Sequence, residues 1–361
     1  LVNMAIIDIV KILLPSVISF WVGIFFTPLV THYLYKHEMW KKKSGKRATD
    51  GRETPIFNAL HKDKEVGTPR MGGVVIWISA FITIAAFWLA SKFFPSEISI
   101  KLDFLSRDQT WIPLFTLVAG GLIGVIDDIL EIRGNGSYFA GGLSLKKRLA
   151  VVSFIGLFAA LWFYFPLEVR GIGLPGGGEL TLGWLFIPFF VAVMLFIYSG
   201  GVIDGIDGLA GGIFATIFLA YAGVAFSQEQ INLAAFCATI SGSILAFLWF
   251  NVPPARFYMS ETGTMGLTLT LAVVAFMTDS LGEGYGVLVL PVIAFPLIIT
   301  TLSVIIQLTS KKIRNGKKVF LSAPVHHHFE AKGWPPYKVT MRYWIIGLIF
   351  AIFGTILALL G

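Results

Sequence analysis

Apolar and polar positions alternate along this chain on a long scale. Apolar runs fall at Pro15–Leu34, Met71–Leu89, Trp111–Ile126, Leu149–Leu167 and Leu182–Tyr198, and continue at Leu209–Phe226, Ile231–Phe250, Thr264–Leu281, Tyr285–Thr309 and Tyr343–Leu360. Each is close to the roughly 20 residues that an α-helix needs to cross a hydrocarbon core. The pattern predicts an all-α, polytopic membrane fold of about ten transmembrane helices. An even number of spans puts both termini on one side. Leu1–Met4 carry no basic residue and no small-residue cleavage site, so the first run reads as a span and not as a removed signal. Between the fourth and fifth runs, Gly173-Leu-Pro-Gly-Gly-Gly178 reads as a turn joining two short extended pieces within Glu168–Thr181. No internal repeat breaks the chain, and residues 1–361 read as one domain.

Composition agrees with the pattern. Of 361 residues, 56% are hydrophobic and only 14% charged, more apolar surface than a soluble domain can hide. The single Cys237 rules out an intrachain disulfide and a cysteine-based metal site. Charge adds an orientation. All but five of the 28 basic residues lie in Lys36–Arg70, Arg133–Arg148, Arg256 and Lys311–Arg342, the loops after the first, third, seventh and ninth runs. The exceptions are Lys11, Lys92, Lys101, Arg107 and Arg170. The positive-inside rule then makes the basic loops cytoplasmic and both termini extracytoplasmic. The net charge of +7 is accounted for by orientation and attraction to anionic headgroups, and gives no reason to expect a nucleic acid partner.

Four polar clusters sit at run ends on that same face. Asp127-Asp128 closes the third run. Adjacent carboxylates at a membrane edge repel and lose solvation, a cost that a divalent cation offsets; the bland alternative is a helix end with two solvated acids. Asp204-Gly-Ile-Asp207-Gly follows the fifth run. Its acids share one face of a helical turn or line a glycine-rich loop around a ligand, and Asp-Gly is also ordinary turn chemistry. Asn251 and Glu261 frame a proline-containing loop that also holds Arg256 and Tyr258, with oxygens suited to a hard cation. His326-His327-His328, between Pro324 and Glu330, suits a metal or phosphate oxygens, and Lys311, Lys312, Arg314, Lys317, Lys318 and Lys332 favour phosphate. Lys64–Gly73 adds a Gly/Thr-containing turn ahead of the second run, where backbone amides can bind an anion. Together these features imply metal-assisted phosphoryl transfer onto a lipid phosphate. A transporter is the competing class, but its polar residues gather at mid-membrane, whereas these gather at run ends.

Over nearly its full length the chain resembles the polyprenyl-phosphate N-acetylhexosamine-1-phosphate transferases. Ala323-Pro-Val-His-His-His-Phe-Glu-Ala-Lys-Gly-Trp334 resembles their muramoyl-pentapeptide branch, and Gly67-Thr-Pro, Met71-Gly-Gly, Asp127-Asp128, Asp204-Gly-Ile-Asp207-Gly-Leu-Ala, Asn251 and Thr262-Gly263 also match. The resemblance implies transfer of phospho-N-acetylmuramoyl-pentapeptide from its UDP derivative to undecaprenyl phosphate, with Mg²⁺, giving lipid I and UMP in peptidoglycan synthesis at the bacterial cytoplasmic membrane. A sister transferase for another UDP-sugar, or an impaired relative, is the alternative. Carried over, Asp127 orients or deprotonates the lipid phosphate, Asp128 lies towards metal and diphosphate, and Glu261 stands where the family has a metal-binding Asp. Asp207 and Tyr258 meet the uracil, while Asp204, Gln307 and His327 line the nucleotide-sugar side with Asn251, His326 and His328 close by. The resemblance also suggests a homodimer. The chain departs from the pattern at Glu261, at Ser260 for the usual Gly, at Glu131 and Glu65 for Lys, at Arg70 for Thr and at Gly201 for Asn.

Overall fold

The computed structural model describes residues 2–41, 66–106, 109–134 and 142–360. Its helices are α1 (Val2–Lys36), α2 (Val74–Phe93), α3 (Glu97–Leu102), α4 (Trp111–Arg133), α5 (Leu145–Tyr164), α6 (Phe186–Ser199) and α7 (Leu209–Ser227), followed by α8 (Ile231–Asn251), α9 (Ser260–Met277), α10 (Gly286–Ile293), α11 (Phe295–Ile313), α12 (Val325–Ala331) and α13 (Pro336–Leu360). Among the described residues, nine helical segments are long and apolar enough to cross a membrane. The run expected at Tyr285–Thr309 is not one straight helix: α10 and α11 meet at a 75° bend. Pro296 stands in the first turn of α11 and Pro291 lies within α10, each without the N–H that a continuous helix would use. The turn after α5 forms as expected, with β1 (Gly171–Gly173) paired antiparallel to β2 (Glu179–Thr181).

The least hydropathic span is the most enclosed. In α9 94% of the spanning window is buried, against 17% in α1 and 22% in α13. Threonine hydroxyls explain how α9 tolerates this: Thr264 and Thr268 each donate to the carbonyl four residues back, so their polar groups are satisfied within the helix. The lipid-facing surfaces of α1 and α13 carry Phe25, Leu29, Ile345 and Ile349 instead.

Glycines set the spacing around α9. A Cβ on Gly120 would stand 2.8 Å from Gly266 Cα, and one on Gly124 would stand 2.2 Å from the Glu261 carbonyl oxygen. On the other side, a Cβ on Gly73 would stand 2.3 Å from the Gly263 nitrogen. Small residues therefore let α4 and the start of α2 approach the α9 backbone closely. Further along, Thr116 Oγ1 and Thr270 Oγ1 lie 3.3 Å apart, so α4 and α9 run antiparallel. The end of α4 is thereby brought to the beginning of α9.

Candidate active site

The Asp pair, Glu261 and Asn251 are all helical. α4 continues through Asp127 and Asp128 to Arg133, so the pair lies inside its last turns and is fully buried. It is not a solvated helix end. α9 begins at Ser260, which makes Glu261 a first-turn residue, while Asn251 is the last residue of α8.

A helix start leaves its first N–H groups without intrahelical partners. Here carboxylates from α4 and from the turn before α7 take them. The Thr262 N–H and hydroxyl donate to Asp128 Oδ2 at 2.9 and 2.6 Å. The Ser260 N–H donates to Asp204 Oδ2 at 2.7 Å. Between them, Glu261 Oε1 accepts from Arg148 Nη1 at 2.7 Å. The positive end of the α9 dipole thus faces three acids.

Arg148, in the first turn of α5, joins one of those acids, Glu261, to Asp127. Its Nε donates to Asp127 Oδ1 at 3.1 Å, its Nη2 stands 2.8 Å from Oδ2 as an ion pair, and the Leu143 N–H adds a bond to Oδ1 at 2.7 Å. No local pattern signals this role, because Ser144-Leu-Lys-Lys-Arg148 reads as another basic loop.

On the far side of the pair, Asp128 Oδ1 is buried and accepts no hydrogen bond among the described residues; Arg70 Nη1 is 3.9 Å away. The same Arg70 nitrogen lies 2.5 Å from Glu131 Oε2, and Lys41 Nζ lies 2.9 Å from Glu131 Oε1. Two departures from the family pattern, Arg70 and Glu131, are therefore partners. Asp127, Asp128 and Glu131 each bring a carboxylate oxygen within 4.8 Å of the others, close enough together to hold a metal ion. Glu261, the expected ligand beside Asp128, lies outside this group of three and is held by Arg148.

The remaining expected residues form a second layer beside α9. Asp207 Oδ2 accepts from the Ala255 N–H at 3.2 Å. Asn251 Oδ1 accepts from the Gly208 N–H at 3.0 Å, and its amide donates to the Phe257 carbonyl at 2.8 Å. Tyr258 donates its N–H to the Pro69 carbonyl at 2.9 Å and takes the Gly72 N–H at 2.8 Å. The amides of Gly72 and Gly73 are thus spent on the Tyr258 and Met259 carbonyls, and the expected amide anion site is not formed by them. Lys64 and Glu65 lie outside the described residues.

His326 and His327 pack against the turn between Asp204 and Asp207. A Cβ on Gly205 would come within 2.5 Å of His326 Nε2 and 2.9 Å of His327 Nε2, so only glycine fits there. Glu330 Oε2 holds His327 Nδ1 at 2.6 Å. His328 points elsewhere: its Nδ1 accepts the Leu321 N–H at 3.1 Å. Partial burial, and then Lys332, hold its pKa below the ordinary imidazole value, which suits a neutral acceptor. Gln307 is occupied as well, taking the N–H groups of Val319 and Phe320 at 3.0 Å and donating to the Phe320 carbonyl at 2.9 Å. His328 and Gln307 therefore shape the loop around residues 319–321 in this structure.

Residues 110–279 match the model of glycosyl transferase family 4. Among similar proteins, a phospho-N-acetylmuramoyl-pentapeptide-transferase of Chloroflexus aggregans is 31% identical, covering 98% of this chain and 91% of the relative. One of Geobacillus thermodenitrificans is 32% identical over 95% of this chain and 96% of the relative. One of Levilactobacillus brevis is 33% identical over 95% and 97%. At this identity and coverage the relatives show that the chain belongs to the phospho-N-acetylmuramoyl-pentapeptide-transferase family.

Proposed function

We propose that the protein transfers phospho-N-acetylmuramoyl-pentapeptide from its UDP derivative to undecaprenyl phosphate, giving lipid I and UMP for peptidoglycan synthesis. An oxygen of the lipid phosphate attacks the sugar-bearing phosphorus. The bond from that phosphorus to the bridging oxygen breaks, and UMP leaves with the electron pair. Two partners held side by side need no enzyme nucleophile.

The observation that carries the reading is the open oxygen of Asp128. A buried carboxylate oxygen without a donor is costly, and at the head of a membrane helix it marks a place for a cation. Counted as ionised, Asp127, Asp128, Glu131 and Glu261 exceed Arg70, Arg148 and Lys41 by one negative charge. One Mg²⁺ would reverse that excess and make the cluster attractive to phosphate. The donor set fits such an ion through Asp128, with Asp127 and Glu131 within reach; when bound it would neutralise the diphosphate charge.

Asp127, gripped by Arg148, orients the lipid phosphate. Asp204, Asp207, His326 and His327, gathered around Gly205, form the nucleotide-sugar side. By the positive-inside rule this end of the bundle faces the cytoplasm, where a UDP-sugar is available, and both termini lie outside.

The test is direct. Purified full chain with Mg²⁺, undecaprenyl phosphate and UDP-N-acetylmuramoyl-pentapeptide releases UMP, and Asp127→Asn abolishes the release. Folded protein that releases no UMP overturns the proposal.

A further inference from the structure

Arg70 reaches the carboxylate cluster from a segment that is anchored from several directions. Its own N–H donates to the Met39 carbonyl at 2.8 Å, just beyond α1. The Pro69 carbonyl takes the Tyr258 N–H at 2.9 Å, and the Gly72 and Gly73 N–H groups bond to the Tyr258 and Met259 carbonyls at 2.8 and 3.2 Å. Met71 sits at φ 69°, a left-handed conformation uncommon for a long side chain. Glycine is required beside it, since a Cβ on Gly72 would come within 2.1 Å of the Phe257 ring. A backbone so constrained fixes where the Arg70 side chain leaves the chain.

The side chain is then held by acid and cation together. Glu131, in the last turn of α4, takes Arg70 at one oxygen and Lys41 at the other. Glu131 keeps 7% of its side-chain surface and Asp128 none, whereas Arg70 keeps 21%. Arg148, on the other side of the Asp pair, keeps 18%. Two guanidinium groups thus flank the two aspartates, each reachable from outside while the acids are covered. A guanidinium presents a planar fork of donors suited to phosphate oxygens.

We propose that Arg70 binds a substrate phosphate at this site, and that Glu131 and Lys41 are positioning residues that hold its guanidinium over Asp128. The inference rests on the phosphoryl-transfer reading. A phosphate oxygen is common to the lipid monophosphate and the nucleoside diphosphate, so the test treats them separately.

Binding is measured without turnover, by calorimetric titration of the purified full chain with UDP and, separately, with undecaprenyl phosphate. Arg70→Gln weakens one of the two ligands about 10- to 100-fold, the loss of one charge-assisted contact. The ligand affected identifies the phosphate that Arg70 holds. Arg70→Lys keeps the charge, loses the fork and recovers part of the affinity. Glu131→Gln weakens the same ligand by a smaller factor, and the Arg70→Gln, Glu131→Gln double variant binds no worse than Arg70→Gln alone. Thermal unfolding of each variant checks the fold, and Arg70→Lys carries the test if Arg70→Gln does not fold. Unchanged affinity for both ligands in a folded Arg70 variant, or additive losses in the double variant, overturns the proposal. A wild-type chain that binds through Arg70 but turns nothing over supports this inference and overturns the transfer reading instead.

Discussion

Two buried aspartates, one at each end of α9, look alike by burial and differ in how they are satisfied. Asp279, just past the C-terminal end, receives the Gly173 N–H at Oδ1 (2.6 Å) and the Val287 N–H at Oδ2 (2.9 Å). Both oxygens fasten backbone: one draws β1 onto the bundle and the other starts α10. Asp128, at the N-terminal end, receives both Thr262 donors at Oδ2 and leaves Oδ1 without a donor among the described residues. A carboxylate saturated by backbone holds a fold together. One saturated on a single oxygen, with Arg70 3.9 Å from the other, leaves a place for a ligand.

The sharpest way to break this comparison is to replace each aspartate by its amide. Asp128→Asn can keep its carbonyl towards Thr262 and so retain both hydrogen bonds, while the anionic oxygen becomes an NH₂ group. UMP release should fall by about a thousandfold or more, with little change in unfolding temperature. An active Asp128→Asn enzyme would remove the open oxygen from the chemistry. The partner experiment at Asp279 is smaller and opposite in kind. There the amide nitrogen must face one of the two backbone N–H groups, leaving it unsatisfied at about 1–3 kcal/mol of stability. The unfolding temperature should drop while KM for both substrates stays put.

Between these in effect on activity lies the spacing of α4 and α9. In Gly124→Ala the added methyl group would stand 2.2 Å from the Glu261 carbonyl, so the helices must part. Asp128 then moves relative to Thr262, and a displacement of this size costs about 10- to 100-fold in kcat. An unaltered kcat in this variant would mean that the precise approach of the two helices is not what arms Asp128.

The sequence made the spans, the hairpin and the run-end position of the four clusters readable, because each is a local pattern of hydropathy, glycine and charge. What it could not show depends on contacts across many residues. The Arg70–Glu131 pair joins the segment before α2 to the end of α4. Separately, each reads as a departure from the family pattern, Arg70 replacing a neutral residue and Glu131 reversing a charge. Arg148 reads in the sequence as a positive-inside residue, and only the fold brings it between Asp127 and Glu261. The break between α10 and α11 falls inside one uninterrupted apolar run, so hydropathy alone does not show it. Gln307 and His328 were legible as polar residues in a motif, but their hydrogen bonds to the 319–321 backbone were not.

The smallest effect tests whether the cap of α9 is tuned for function or merely tolerated. Ser260 stands at φ 56°, where an L-residue pays roughly 1–2 kcal/mol and glycine nearly nothing. Its contribution to the site runs through the backbone, since the Ser260 N–H holds Asp204. Ser260→Gly keeps that bond. Relief of the left-handed strain exceeds the extra entropy glycine loses on folding, for a net gain of about 0.5–1 kcal/mol. The unfolding temperature should rise slightly, with kcat and both KM values unchanged. A rise in KM for the UDP-sugar would show instead that the Ser260 hydroxyl meets substrate, and the N-terminal end of α9 would then bind through its side chains as well as its backbone.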